Sequence, residues 1–282
     1  MYKIVNKRQL NATVTMLEIE APLVARKAQP GQFIIFRIDE FGERVPLTIA
    51  AHDKEKGTVT IIFNNVGKST KMLGQMEVGD ALADFVGPLG VPTEMEGLKK
   101  VLIVGGGTGN ALAYPIANGM HKAGIEVDMI AGYRTKEIVI LEDELKNSCT
   151  NLYLMTDDGT YGEKGFTTVK LKELLDTGKD YDAVVAVGPP MMMKFVCEAT
   201  KPYKIKTIAS LTAIMIDGTG MCGGCRITVG GERKFVCVDG PEFDGHLVDW
   251  DELIKRGTFY RDQEQEANKH VCRITGGVRQ HG

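Results

Sequence analysis

Three cysteines and one aspartate define the most specific chemistry this sequence offers. The run Asp217-Gly-Thr-Gly-Met-Cys222-Gly-Gly-Cys225 is followed by Cys237. With cysteine in place of Asp217 the spacing would be C-x4-C-x2-C…C, a [2Fe–2S] pattern. Gly218, Gly220, Gly223 and Gly224 surround the two central cysteines. Such a loop can wrap closely around inorganic sulfide and aim N–H groups at sulfur. The expected metal ligands are Asp217, Cys222, Cys225 and Cys237, the last on a strand in Lys-Phe-Val-Cys-Val. An aspartate oxygen has the charge of a thiolate but is a harder donor to iron, so a shifted potential is expected. Two other readings stand beside this one. The four residues could hold zinc, although a lone Cys237 is a poor second half for the usual pair-plus-pair arrangement. The cysteines could instead be unligated, which suits a glycine-rich loop badly. Asp217 alone could be an ordinary turn residue before Gly218.

A one-electron centre needs a donor, and two further regions suggest one. Arg44-Val45-Pro46-Leu47-Thr48 joins a fixed cation, a backbone of fixed φ and a hydroxyl. Arginine suits a phosphate oxygen, and the strand after Pro46 could lie along a flat ring. Asn64-Asn-Val66-Gly67-Lys68-Ser69-Thr70 reads as a strand end, a glycine turn and a helix start. Backbone N–H groups of Gly67 to Thr70 would face a diphosphate there; plain capping by Ser69 and Thr70 is the alternative. Together the two places favour a dinucleotide flavin, FAD.

The elements that must position these residues follow two patterns. Up to residue 97 the chain reads as short β-branched strands split by turn clusters: 13–20, 32–38, 58–63 and 81–86, the last closed by Gly87-Pro88. One helical segment, about 69–76, interrupts them. This predicts a small antiparallel barrel. From residue 98 strands and helices alternate, which predicts a doubly wound parallel sheet with ligands at the strands' carboxyl ends. Its first strand runs into Gly105-Gly106-Gly107-Thr108-Gly109, a glycine turn that is not a full G-x-G-x-x-G because Asn110 holds the sixth position. Pro115 falls inside the following helix. Asp157-Asp158-Gly159 ends another strand. Two carboxylates there would repel a 2′-phosphate and bond ribose hydroxyls, which points to NAD(H); a solvated turn is the alternative. Gly188-Pro189 ends a further strand and would admit the nicotinamide. The expected organisation is an FAD-binding barrel over 1–97, an NAD(H)-binding α/β domain over 98–214, a [2Fe–2S] region over 215–246 and a C-terminal helix and tail over 247–282. Residues 239–246 read as turns, 250–256 as a short helix, and the stretch from Asp262 as polar and poorly ordered.

Composition narrows the classes further. The 282 residues carry 34 Lys plus Arg against 37 Asp plus Glu, so no basic excess suggests nucleic acid or an anionic membrane. No N-terminal apolar region and no apolar run of ~18 residues appear, so a soluble cytoplasmic protein is expected. Cys149, Cys197 and Cys272 show no pairing logic and are expected to be free thiols.

The order of these parts resembles the ferredoxin–NADP reductase superfamily over nearly the whole chain. The branch is the one containing electron-transfer subunits of dihydroorotate dehydrogenase. Pro30-Gly31-Gln32-Phe33, Arg44–Thr48, Val66–Thr70, Gly105–Gly109 with Pro115, and Gly188-Pro-Pro-Met-Met192 stand where that superfamily has them. The phrase Cys237-Val-Asp-Gly-Pro-Glu-Phe-Asp-Gly-His-Leu-Val-Asp249, and Asp217 itself, are similar to the small subunits of NADH-dependent ferredoxin:NADP+ oxidoreductases. The resemblance implies hydride transfer from NADH to FAD, single electrons to a three-Cys, one-Asp [2Fe–2S] cluster, and no acid–base residue. It implies a heterodimer with a larger subunit that holds a second flavin and two [4Fe–4S] clusters, performs electron bifurcation, and uses NADPH and ferredoxin. Val187 stands where many relatives have cysteine, and Asp217 departs from the orotate branch. Alternatives are an electron-transfer subunit of an NAD-dependent dihydroorotate dehydrogenase and a non-catalytic redox-sensing module.

Overall fold

The computed structural model describes residues 1–266; Cys272 and the tail from residue 267 lie outside the described residues. The first half alternates strands with two short helices: β1 (Tyr2–Gln9), β2 (Val14–Glu20), α1 (Pro22–Lys27), β3 (Phe33–Arg37), β4 (Val45–Asp53), β5 (Thr58–Asn64), α2 (Lys68–Gln75), β6 (Ala81–Leu82) and β7 (Asp84–Leu89). Its strands form one antiparallel sheet in the order β6-β1-β2-β5-β4-β3-β7. Ile4, Leu17, Ile19, Phe36, Ile61 and Phe85 fill its interior. Burying such side chains contributes about 1.5–3 kcal/mol each against exposure.

The second half contains β8 (Lys100–Gly106), α3 (Gly109–Lys122), β9 (Glu126–Tyr133), α4 (Glu142–Lys146), β10 (Asn151–Thr156), β11 (Glu163–Lys164), α5 (Thr167–Asp176), β12 (Ala183–Val187), α6 (Pro190–Thr200) and β13 (Lys206–Ser210). The chain then forms the hairpin β14 (Arg226–Val229) and β15 (Glu232–Phe235), α7 (Val236–Asp239), β16 (Glu242–Asp244) and α8 (Trp250–Arg256). The second sheet has the order β11-β10-β9-β8-β12-β13-β16, parallel except for β16. Val101 to Val104 are fully buried because helices cover both faces of the sheet. The expected barrel-plus-doubly-wound architecture is therefore the one found.

Four local expectations need correction. The barrel has a second helix, α1, whose six residues are too few to show a helical period; Pro22 starts it at a position where a missing N–H costs nothing. Residues 81–86 are not one strand. β7 continues through Gly87-Pro88 to Leu89, because Val86 pairs with Ile35 and Leu89 with Phe33, leaving two residues opposite Ile34. A bulge tolerates proline where a regular ladder does not. Cys237 is not on a strand: β15 stops at Phe235 and Cys237 lies in the single turn α7, where the Phe235 N–H donates to Asp239 Oδ2 at 2.6 Å. Finally, the segment 239–246 contains β16, whose pairing with β13 no local pattern announces.

Candidate functional site

The carboxyl ends of β8, β9, β10 and β12 face the barrel across a cleft of about 480 Å³. Gly106, Gly107, Thr108, Asp157 and Pro189 of the α/β half line it together with Asn64, from the barrel segment read as facing a flavin diphosphate. The barrel contributes Asn11 and Thr13 from the β1–β2 turn, and the sheet adds Arg134, Phe166 and Met192. Met192 closes the Gly188–Met192 run already singled out; the other four belong to no motif and reach the cleft only through the packing of sheet against barrel. Gly107 has φ +57 and nothing within 4 Å of an added Cβ, so its backbone is open to a ligand. Gly109 and Gly188 answer a different need. A Cβ on Gly109 would lie 2.6 Å from Gly188 Cα, so these two glycines let the turn touch the end of β12. Asp157 and Asp158 separate: Asp157 lines the cleft, while Asp158 Oδ1 accepts the Thr160 N–H at 2.9 Å and its hydroxyl at 2.7 Å. Those bonds hold the Asp158 carboxyl below its usual range.

Asn110, at the sixth position of the glycine turn, is a residue that motif reading passed over. It is fully buried, and its Nδ2 donates to the carbonyls of Gly107 and Gly132, each at 3.1 Å. The Gly107 N–H donates to the same Gly132 carbonyl at 2.8 Å. The side chain thus ties the turn to the end of β9. Asn64 Oδ1 is buried without a hydrogen-bond partner among the described residues. A buried acceptor at the wall of a cleft suits a donor brought by a ligand.

A second cavity, about 320 Å³, opens at the amino end of α2 and is lined by Val45, Val66, Gly67, Lys68, Ser69 and Thr70, with Glu43 and Glu264. The side chains here are already engaged. The Ser69 hydroxyl donates to Glu43, and Thr70 Oγ1 exchanges bonds with the Gly67 N–H and carbonyl. The first-turn N–H groups of the helix and Lys68 remain for an anion, as a helix amino end would supply. Beside this cavity, Val45–Thr48 pairs with β3, but pairing with β5 starts only at Ile49. Pro46 therefore sits where β4 has one free edge, which is where a strand accepts proline. Arg44 Nε donates to the Ile216 carbonyl at 2.8 Å, linking the barrel to the cysteine loop.

In that loop the four expected donors form two pairs. Cys222 Sγ lies 3.2 Å from Asp217 Oδ1, and Cys225 Sγ lies 3.2 Å from Cys237 Sγ. Among the described residues no three His, Cys, Asp or Glu side chains converge on one ion position. Tetrahedral zinc needs such convergence, whereas a two-iron cluster takes its four protein donors at two metals. N–H groups point at sulfur, Gly224 to Cys222 and Cys237 to Cys225, each at 3.4 Å. The donor set therefore fits a binuclear cluster. Asp217 also makes the turn anticipated as its alternative role, with Thr219 N–H donating to Oδ1 at 3.3 Å and Met221 N–H to Oδ2 at 2.8 Å. Desolvation acts upward on its carboxyl, but bonds from Cys222, Thr219 and Met221 outweigh it and hold the group at about 2. Burial, then the Cys225 thiol, pushes Cys237 up to about 12. Cys149 and Cys197 are buried free thiols elsewhere in the core.

Comparison with known proteins places this geometry. A profile for the iron–sulfur cluster binding domain of dihydroorotate dehydrogenase B matches residues 212–249, and one for the oxidoreductase NAD-binding domain matches residues 103–198. A Clostridium beijerinckii protein of the adh 3′ region is 52% identical, covering 100% of this chain and 97% of its own. A Thermotoga maritima homologue of the dihydroorotate dehydrogenase B (NAD+) electron transfer subunit is 44% identical, over 97% and 96%. A solved structure of an NADH-dependent reduced ferredoxin–NADP oxidoreductase, concerned with flavin-based electron bifurcation, has a chain 40% identical to this one. Its TM-score is 0.91, covering 96% of this chain and 98% of that one. No helix among the described residues is long and apolar enough to cross a membrane. With the nucleotide cleft, the barrel and the paired cysteine loop matched end to end, the chain belongs to the family of dihydroorotate dehydrogenase B electron-transfer subunits and their homologues, which are NAD-linked iron–sulfur oxidoreductase chains.

Proposed function

We propose that this chain is the NAD(H)-, FAD- and [2Fe–2S]-binding subunit of an electron-bifurcating NADH-dependent ferredoxin:NADP+ oxidoreductase. The observation behind this choice is the donor set. Asp217 stands beside Cys222 where the orotate branch would have a fourth cysteine, and its carboxylate is held ionised and close to the thiol. When bound, the flavin supplies the conversion between hydride and single-electron chemistry, and the cluster supplies a one-electron relay.

The chain's own residues bind and orient. The Gly106–Gly109 turn and Thr108 hold the NADH diphosphate, with the open backbone of Gly107 nearest to it. Asp157 bonds the adenosine ribose and disfavours a 2′-phosphate; Asp158 supports the loop beneath it. Pro189 shapes the nicotinamide end, and Gly188 lets the β8 and β12 ends meet there. The first turn of α2, with Gly67, Lys68 and the backbone of Ser69 and Thr70, takes the FAD diphosphate alongside Val66 and Arg44. The free edge of Val45, Pro46, Leu47 and Thr48 presents backbone polar groups to the isoalloxazine. Asn64, at the seam of the two halves, offers its unpaired oxygen to a cofactor donor. Asp217, Cys222, Cys225 and Cys237 ligate the cluster.

A larger partner subunit, bearing a second flavin and [4Fe–4S] clusters, performs the bifurcating step with NADPH and ferredoxin. Anaerobic addition of NADH to the purified complex tests the proposal: the visible flavin band bleaches and an EPR signal of a reduced [2Fe–2S] cluster develops. Colourless protein without iron or flavin refutes it. The names of several relatives favour a second reading, a subunit serving dihydroorotate oxidation. Co-purification with a dihydroorotate-oxidising subunit would establish that reading in place of the first.

A further inference from the structure

Gly223 and Gly224 bridge the two inner cysteines, and two glycines in succession form the most deformable backbone a chain can offer. Neither carbonyl in this bridge is left loose. Arg226 Nη1 donates to the Gly223 carbonyl at 3.0 Å, and Arg256 Nη2 donates to the Gly224 carbonyl at 2.9 Å. The same Gly224 aims its N–H at Cys222 Sγ. Holding the carbonyls therefore holds the orientation of the peptide that faces sulfur.

The two arginines arrive from separate elements. Arg226 opens β14, immediately after Cys225; Arg256 ends α8, thirty residues along the chain. The origin of Arg256 is firmly placed. Trp250 and Leu253 are buried, the Asp249 side chain caps the helix through the Glu252 N–H at 2.9 Å, and Glu252 accepts the Thr228 N–H at 2.8 Å. The Arg256 guanidinium also lies 5.8 Å from the Phe259 ring. Among the described residues neither guanidinium lies within ion-pair distance of a carboxylate. Both border a cavity of about 590 Å³ whose wall includes Cys222 and Gly224.

We propose that Arg226 and Arg256 form a cationic brace that fixes the Gly223–Gly224 bridge and raises the reduction potential of the iron–sulfur cluster. The inference rests on the cluster reading given above. Four anionic donors make an oxidised cluster net negative, and an added electron makes it more so. Fixed positive charge beside it stabilises the reduced form. Hydrogen bonds toward the sulfurs act in the same direction. Arginine suits the task because it is permanently charged and its planar fork can hold a carbonyl while remaining a cation.

The test is an anaerobic, EPR-monitored redox titration of the full chain in complex with its partner subunit, comparing the parent with R226Q, R256Q, R226K and R256K. Each Gln variant is expected to lower the reduced-to-oxidised ratio at a fixed poise by about tenfold, which is ~59 mV for a one-electron couple. The Lys variants are expected to stay closer to the parent, because the charge remains. Iron content per chain is measured alongside. If R256Q retains no iron, the exposed R226Q decides the matter alone. A parent-like midpoint in every Gln variant that keeps its iron overturns the inference and leaves the cluster reading untouched. A parent complex that holds no iron–sulfur signal overturns the cluster reading itself.

Discussion

Asp217 combines two duties in one carboxylate. It orders the loop through the N–H groups of Thr219, Met221 and Cys222, and it stands within 3.2 Å of a thiol. Replacing it by cysteine should preserve the visible absorption of the cluster and change its EPR spectrum; an unchanged spectrum would show that the residue is not a ligand. Replacing it by alanine should lower the iron content as well, since three backbone donors lose their acceptor. The Asp157–Asp158 pair makes a narrower point. Only Asp157 faces the cleft, so Asp157→Asn should lower the NADH-over-NADPH preference in kcat/KM by about tenfold, while the same change at Asp158 should not alter that ratio. At this scale the sequence was readable where spacing alone carries chemistry, as in Asp217 to Cys237. It was opaque where a hydroxyl or carboxylate chooses between ligand and neighbour. Ser69, Thr70 and Asp158 each had both options, and each is bonded within the protein.

The glycine turn shows what an element requires beyond its motif. Gly107 leaves room for a ligand, whereas Gly109 and Gly188 leave room for each other. Asn110 then fastens the turn to β9 with two hydrogen bonds in a fully buried setting. Asn110→Ala removes both side-chain donors, so the Gly132 and Gly107 carbonyls keep only their backbone partners, the Gly107 and Asn110 N–H groups, a loss of about 1–3 kcal/mol. Steady-state kinetics should show a KM for NADH raised about tenfold with kcat little changed, because the groups affected bind rather than react. The helix expected over 250–256 was legible to the residue, with Asp249 as its cap. Other brief elements were not: α1 has six residues, α7 four and β16 three, and such lengths are decided by tertiary contacts rather than by propensity.

At the scale of the molecule, three parts meet near Glu242. The Gly240 carbonyl accepts the Val91 N–H at 2.7 Å, and the Pro241 carbonyl accepts the Leu211 N–H at 2.8 Å. The Glu242 carboxyl is enclosed beside Gly31 and accepts the Thr93 hydroxyl at 2.7 Å. Burial pushes it up to about 7 against the opposing Thr93 bond. An unfolded glutamate titrates near ~4.3, so the folded chain binds the proton more tightly than the unfolded one. The associated stability is complete below that lower value and is lost as pH rises through about 7. Thermal melts should therefore show a decline of roughly 3–4 kcal/mol across this window in the parent and a flatter profile in Glu242→Gln. The return of β16 to the edge of β13 has a further consequence for anyone who would cut and splice this protein. The segment from Thr212 to Gly240 leaves the parallel sheet and comes back to seal it, with Ile208 opposite Asp244 and Ser210 opposite Glu242. A truncation after β13 would uncover a row of unsatisfied peptide groups on a strand that begs for a neighbour. The iron-binding portion is therefore no detachable cassette: grafting it elsewhere, or discarding it to obtain a bare reductase, should yield aggregates unless a substitute strand is supplied.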